Sequence, residues 1–113
     1  MKNVVLLGST GSIGTSTIKV ADDLPDQIRL IGLAAGNNVD LLIEQTRKHK
    51  PAAVSISDPA KAKDLQNILG TSAEVFSGND GLIKLATMPA ADIVLIAIVG
   101  TAGLQPWNPG EVI

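Results

Sequence analysis

Apolar and polar positions fall along this chain in blocks, and the period of the blocks changes in a regular order. Residues 4–7, Val4-Val5-Leu6-Leu7, are a continuous apolar run that ends at Gly8. A run without polar alternation suits a strand buried on both faces. Over residues 12–22 the period changes. Ile13, Ile18, Val20 and Ala21 make a partly apolar face among Thr15, Ser16, Thr17 and Lys19, a helical pattern that rests on position more than on propensity. Pro25 breaks it, and residues 28–35 form a second apolar run ending at Gly36. Asn38 is placed to cap a helix through Leu41, Leu42 and Ile43. That helix closes in Arg47-Lys48-His49-Lys50 before Pro51, with cations at the negative end of its dipole.

The same alternation continues to the far end. Residues 52–57 predict a third strand. Asp58-Pro59 joins a cap residue to proline at the first helical position, and Gly70 closes the helix after Leu69. Residues 73–76 predict a fourth strand, and Ser77-Gly78-Asn79-Asp80 turns the chain into a helix through Leu82, Ile83, Leu85 and Ala86, ended by Met88-Pro89. Residues 92–99 are the most apolar run of all, stopped by Gly100. Strands that alternate with helices in this way predict an α/β fold: a Rossmann-like, doubly wound parallel sheet of about five strands with helices on both faces. No longer repeat, low-complexity tract or internal linker interrupts it.

Composition narrows the function. The 113 residues make one domain, and 45% hydrophobic content suffices for a core. The absence of cysteine excludes a disulfide-stapled scaffold. A net charge of −2, with Phe76 and Trp107 as the aromatic residues, disfavours nucleic acid, which needs a basic field or stacking platforms. No apolar run reaches the ~18 residues of a membrane span, and no secretory signal precedes the first strand, so neither a membrane nor secretion is expected. No metal-ligand spacing and no Ser-His-Asp or paired-carboxylate arrangement can be assembled. His49, among cations at a helix end, reads as a solvated end residue.

The candidate chemistry lies in the glycines. The first strand runs into Gly8-Ser9-Thr10-Gly11-Ser12-Ile13-Gly14, spaced G-x-x-G-x-x-G at the opening of a helix. A phosphate group needs backbone that approaches without a Cβ and free amides at a helix N-terminus. Gly8 permits the tight exit from the strand, Gly11 the approach of a pyrophosphate, and Gly14 close packing of the helix. Thr10 and Ser12 add hydroxyls. The loop lacks the Gly-Lys-Ser/Thr ending of a nucleotide-triphosphate loop. A plain strand-to-helix turn is the other reading of the same glycines. At the tip of the second strand stand Ala34-Ala35-Gly36-Asn37-Asn38. An NAD site places an acid there for the ribose 2′-OH. None is present, and Asp40 already lies inside the helix, so NADP(H) is expected. Asn37 and Asn38 also suit turn and cap roles. Ala97-Ile98-Val99-Gly100, leaving the fifth strand, should wall the site, since ligands of doubly wound sheets lie beyond the carboxyl ends of the strands. A core strand with a glycine exit is the alternative there.

Three segments together resemble a known family: Leu7-Gly8-Ser9-Thr10-Gly11-Ser12-Ile13-Gly14, the Ala35-Gly36-x-Asn38-Val39 tip, and Ile98-Val99-Gly100-x-Ala102-Gly103-Leu104-x-Pro106. They resemble 1-deoxy-D-xylulose 5-phosphate reductoisomerase, an NADPH-dependent enzyme of non-mevalonate isoprenoid biosynthesis, over residues 2–106. The resemblance implies conversion of 1-deoxy-D-xylulose 5-phosphate to 2-C-methyl-D-erythritol 4-phosphate. It also implies a divalent metal (Mg or Mn), a homodimer in the full-length family, and a bacterial cytoplasmic or plastid setting. Carried over, it makes Thr10, Gly11, Ser12 and Ile13 contacts of the NADPH phosphates and ribose. Gly36, Asn37 and Asn38 surround the 2′-phosphate, and Ala97, Ile98 and Val99 line the adenine-to-nicotinamide path. With Gly8 these are the candidate cofactor-binding residues; no catalytic or metal-ligating residue is assigned. Position 37 departs from relatives that carry a basic residue there. After Pro106 the family continues into a helix, a strand, an Asn-Lys-Glu segment and an acidic metal site, whereas here Trp107-Asn108-Pro109-Gly110-Glu111-Val112-Ile113 follows. The expectation is therefore an NADPH-binding domain over 1–106, an irregular tail over 107–113, and no catalytic domain or metal ligands in this chain. Substrate would be reached only through the missing domain, and the isolated chain would be inactive. A non-catalytic dinucleotide-binding or interaction module is the alternative. A semialdehyde dehydrogenase is disfavoured for want of a nucleophilic cysteine.

Overall fold

A computed structural model describes residues 1–97. The chain runs β1 (Lys2–Leu7), α1 (Ser12–Asp23), β2 (Ile28–Ala35), α2 (Val39–His49), β3 (Ala53–Ile56), α3 (Pro59–Leu69), β4 (Glu74–Ser77), α4 (Gly78–Ala86) and β5 (Ile93–Ile96). The strands form one five-stranded sheet in the order β4-β3-β2-β1-β5, and every pair is parallel. The expected α/β architecture is present. The expected Ile98 and Val99 at the end of β5, and the 107–113 tail, lie outside the described residues.

The direction of the chain explains the layers. From β1 it steps outward through β2 and β3 to β4, and α1, α2 and α3 pack on one face through Ile18, Ala21, Leu42, Leu65 and Leu69. It then returns across the sheet to place β5 on the other side of β1, and α4 covers the opposite face with Leu85 and Leu82. Right-handed crossovers demand this: reversing direction in the sheet changes the face. The switch point lies between β1 and β5, where the glycine loop leaves β1.

The two cores divide β1 residue by residue. Val4 and Leu6 belong to the three-helix face, Val5 and Leu7 to the α4 face. In β2 the alternation slips. Leu30 pairs with Val4, Gly32 pairs with Val5, and Ile31 is the extra residue between them. The bulge turns both Ile31 and the absent Cβ of Gly32 toward α4, where a Cβ at position 32 would lie 3.2 Å from Met88 Sδ and Val5 Cγ2. Gly81 serves the same layer, since a Cβ there would strike Ser55 Oγ.

Two local expectations change, and the most apolar run forms an edge strand among those described, with Ile93 38% exposed and Val94, Leu95 and Ile96 half-buried. Its composition resembles that of the central β1, so burial there depends on what lies beside it. The turn expected over 77–80 is shorter: Gly78 takes φ +66 and itself opens α4. His49 is not a solvated end residue. It is half-buried, with Nε2 2.8 Å from Asp22 Oδ1 at the end of α1.

Candidate functional site

The glycine loop is held from below. Gly8 takes φ +100, a conformation that favours glycine. The amides of Gly8 and Ser9 both donate to the Ala34 carbonyl, at 2.7 and 2.8 Å. Ser9 is fully buried, and its carbonyl accepts from Gln45 Nε2 at 2.9 Å. Gln45 lies with Leu42 and Thr46 on the buried stripe of α2. Sequence reasoning missed it. The available signal was a glutamine at an i+3 position of an apolar face, where a polar side chain needs a partner.

The loop glycines separate into two kinds. A Cβ at Gly14 would collide with the carbonyl of Gly8, so this glycine lets α1 dock on the loop. A Cβ at Gly11 would meet nothing closer than the Gly8 oxygen at 3.8 Å, and its φ of −81 suits any residue. Packing among the described residues therefore does not require a glycine at 11. What it leaves open is the space beside the amides at the start of α1. Gly11 is the N-cap of α1 and offers no side chain to cap it. Its own amide donates to Gly8 at 3.3 Å, and the first helical bond runs from Thr15 to Gly11. Among the described residues, no acceptor is bonded to the amides of Thr10, Ser12, Ile13 or Gly14. The first turn carries no acid. Unpaired donors at the positive end of a helix dipole, with open space before them, are suited to an anion. Ile13, 60% exposed, stands at the mouth.

The tip of β2 lies along the same edge of the sheet. Gly36, Asn37 and Asn38 are exposed. Asn38 Oδ1 accepts from the Leu41 amide at 3.2 Å and so caps α2. The Gly36 carbonyl accepts from the Ser57 amide at 3.0 Å, and the Asn37 carbonyl accepts from Lys61 Nζ at 3.4 Å. Ser57 and Lys61 were not legible as site residues, because only the sheet order brings β3 and α3 to this tip. No carboxylate stands at 36–38; Asp40 is exposed in the first turn of α2. Ala97 donates to the Leu7 carbonyl at 2.7 Å and so lies beside the loop. Its side chain, however, is buried in the three-helix core. Ile98 and Val99 lie outside the described residues.

The other titratable cluster is at the opposite end. Lys48 Nζ lies 3.1 Å from Asp22 Oδ2, beside the His49 contact. Burial pushes the Asp22 carboxyl up, but the hydrogen bond and charge of Lys48, with His49, outweigh it and hold the group below its ordinary value. These residues line a cleft of about 400 Å³ with Arg29 and Leu30, at the amino ends of the strands and away from the glycine loop. Among the described residues no three His, Cys, Asp or Glu side chains converge on a metal position. No described helix is long and apolar enough to cross a membrane.

Known proteins are similar to this chain in sequence and in fold. Residues 4–108 match the family described as 1-deoxy-D-xylulose 5-phosphate reductoisomerase. A reductoisomerase of that name from a Synechococcus strain is 48% identical over 109 residues, covering 94% of this chain and 27% of the relative. One from Endomicrobium trichonymphae is 41% identical, covering 93% and 28%. The chain thus spans little more than a quarter of the length of these relatives. Among solved structures, the Zymomonas mobilis enzyme in complex with NADPH aligns with a TM-score of 0.81 at 36% identity, over 88% of this chain and 26% of that one. A DOX-P reductoisomerase in complex with NADPH, fosmidomycin and magnesium aligns at 0.84 and 32% identity, over 88% and 25%.

Proposed function

Because this chain belongs to the 1-deoxy-D-xylulose 5-phosphate reductoisomerase family, we propose that residues 1–106 are its NADPH-binding domain. In this reading the chain holds the cofactor for conversion of 1-deoxy-D-xylulose 5-phosphate to 2-C-methyl-D-erythritol 4-phosphate. The observation that carries it is the space that the described residues leave open at Gly11, together with neighbouring amides that bond to no described acceptor. A plain turn needs neither.

The roles follow from position. The amides of Thr10, Ser12 and Ile13 bind the diphosphate bridge, while Gly8 and Gly14 shape and dock the loop. Gly36, Asn37 and Asn38 take the adenosine end, where the absence of an acid admits a 2′-phosphate. Ala97 backs the loop. Bound NADPH would supply the hydride; these residues fix where it lies. The magnesium of the solved relative finds no ligand set among the described residues. The 113-residue chain by itself is therefore expected to show no turnover with substrate and a divalent metal. A homodimer of the full-length enzyme and a bacterial cytoplasmic or plastid setting belong to the same reading.

Calorimetric titration of the chain with NADPH, NADH and ATP tests the proposal. Saturable binding of NADPH, tighter than that of NADH or ATP, is the expected result. No heat with NADPH, or equal binding of all three, contradicts it.

A further inference from the structure

The geometry points to Lys61 as the residue that reads the 2′-phosphate of NADPH, supplied to the tip of β2 by the neighbouring strand–helix unit. The inference rests on the dinucleotide reading above and adds its specificity determinant. NADPH differs from NADH by one phosphate, and a site that separates them must respond to that charge. Residues 36–38 carry none. Dinucleotide folds that accept the phosphate do so with a cation near this tip.

Lys61 is brought there by the sheet. Ala35 pairs with Ile56 in the β2–β3 register, so β3 leaves the sheet beside the tip, and the Ser57 amide bonds the Gly36 carbonyl at 3.0 Å. Asp58 Oδ1 accepts from Ala60 at 2.9 Å and caps α3. Pro59 opens that helix, which sets Lys61 in its first turn with Nζ 3.4 Å from the Asn37 carbonyl. That carbonyl accepts one of the three ammonium protons. No carboxylate lies within ion-pair distance of Lys61 among the described residues, where the ion pairs are those of Asp22. A cation in the first turn also opposes the helix dipole, so Lys61 does nothing for α3 by standing there. It adds its charge to the positive N-terminus of α2, which faces the same tip. Asp40, Asp58 and Asp64 are the nearby acids, all exposed, and Asp58 is engaged by its cap bond.

The test compares the parent chain with Lys61→Met and Lys61→Arg, each titrated with NADPH and with NADH at low and high salt. Lys61→Met is expected to weaken NADPH binding about three- to tenfold, the size of one partly exposed charge contact, and to leave NADH unchanged. Lys61→Arg should keep the preference, and salt should shrink it in the parent. A Lys61→Met chain with the parental NADPH-to-NADH ratio overturns the role of Lys61 while leaving the dinucleotide site standing. A parent that binds neither nucleotide overturns the site, and this inference with it. A merely structural role would move both nucleotides together.

Discussion

Gln45 Nε2 donates to the Ser9 carbonyl at 2.9 Å, joining residues 36 positions apart. This bond ties α2, the helix capped at the tip of β2, to the glycine loop. Both residues are buried, so water cannot replace the donor at no cost. Gln45→Met keeps the volume and removes the donor. It is expected to destabilise the fold by about 1–3 kcal/mol, the penalty for a buried acceptor left unpaired, as read from urea denaturation. NADPH affinity should fall as well, through displacement of the loop. Parental stability in this variant would show that the bond contributes nothing.

The glycines offer a sharper contrast. Gly14→Ala places a methyl against the Gly8 carbonyl and should cost about 1–3 kcal/mol, as overpacking does. Gly11→Val puts its Cβ where, among the described residues, the nearest atom is the Gly8 oxygen at 3.8 Å. It should leave the thermal midpoint within a few degrees of the parent while abolishing the NADPH heat. If Gly11→Val binds NADPH like the parent, the loop is a turn and nothing more.

At the tip, capping and specificity can be separated. Asn38→Asp retains the cap on α2, because both side chains accept the Leu41 amide, and stability should be unchanged or slightly higher. The added carboxylate should repel a 2′-phosphate and lower NADPH affinity more than NADH affinity. Asn38→Ala should instead lose about 1 kcal/mol of stability. Equal loss of both nucleotides in Asn38→Asp would place the 2′ position elsewhere.

The Asp22 cluster sets a pH dependence remote from the site. The carboxyl titrates below its ordinary value in the folded chain. Its contribution is therefore present above about pH 4, the unfolded value, and is lost as pH falls through the lower folded value. Asp22→Asn should lower the thermal midpoint at neutral pH by about 1–4 °C, as for a partly exposed ion pair. The gap between variant and parent should close in acid. A gap that widens as pH falls would reverse the sign of the argument.

The order of elements was legible in the sequence because it depends on local period. Continuous apolar runs, proline breaks and cap residues such as Asn38 and Asp58 act over a few residues. The Gly8–Gly14 spacing and the missing acid at 36–38 were equally local, and they carried the expectation of a dinucleotide loop with an NADP bias. Tertiary structure decided which strands lie side by side, and with that everything contributed across the sheet. Gln45 reaches Ser9, and Lys61 reaches Asn37, only because β2 lies between β1 and β3. Packing among the described residues likewise separates Gly14, which it requires, from Gly11, which it does not. Identical letters in one motif differ there because a Cβ is judged by what stands opposite it, and sequence spacing carries no record of that neighbour.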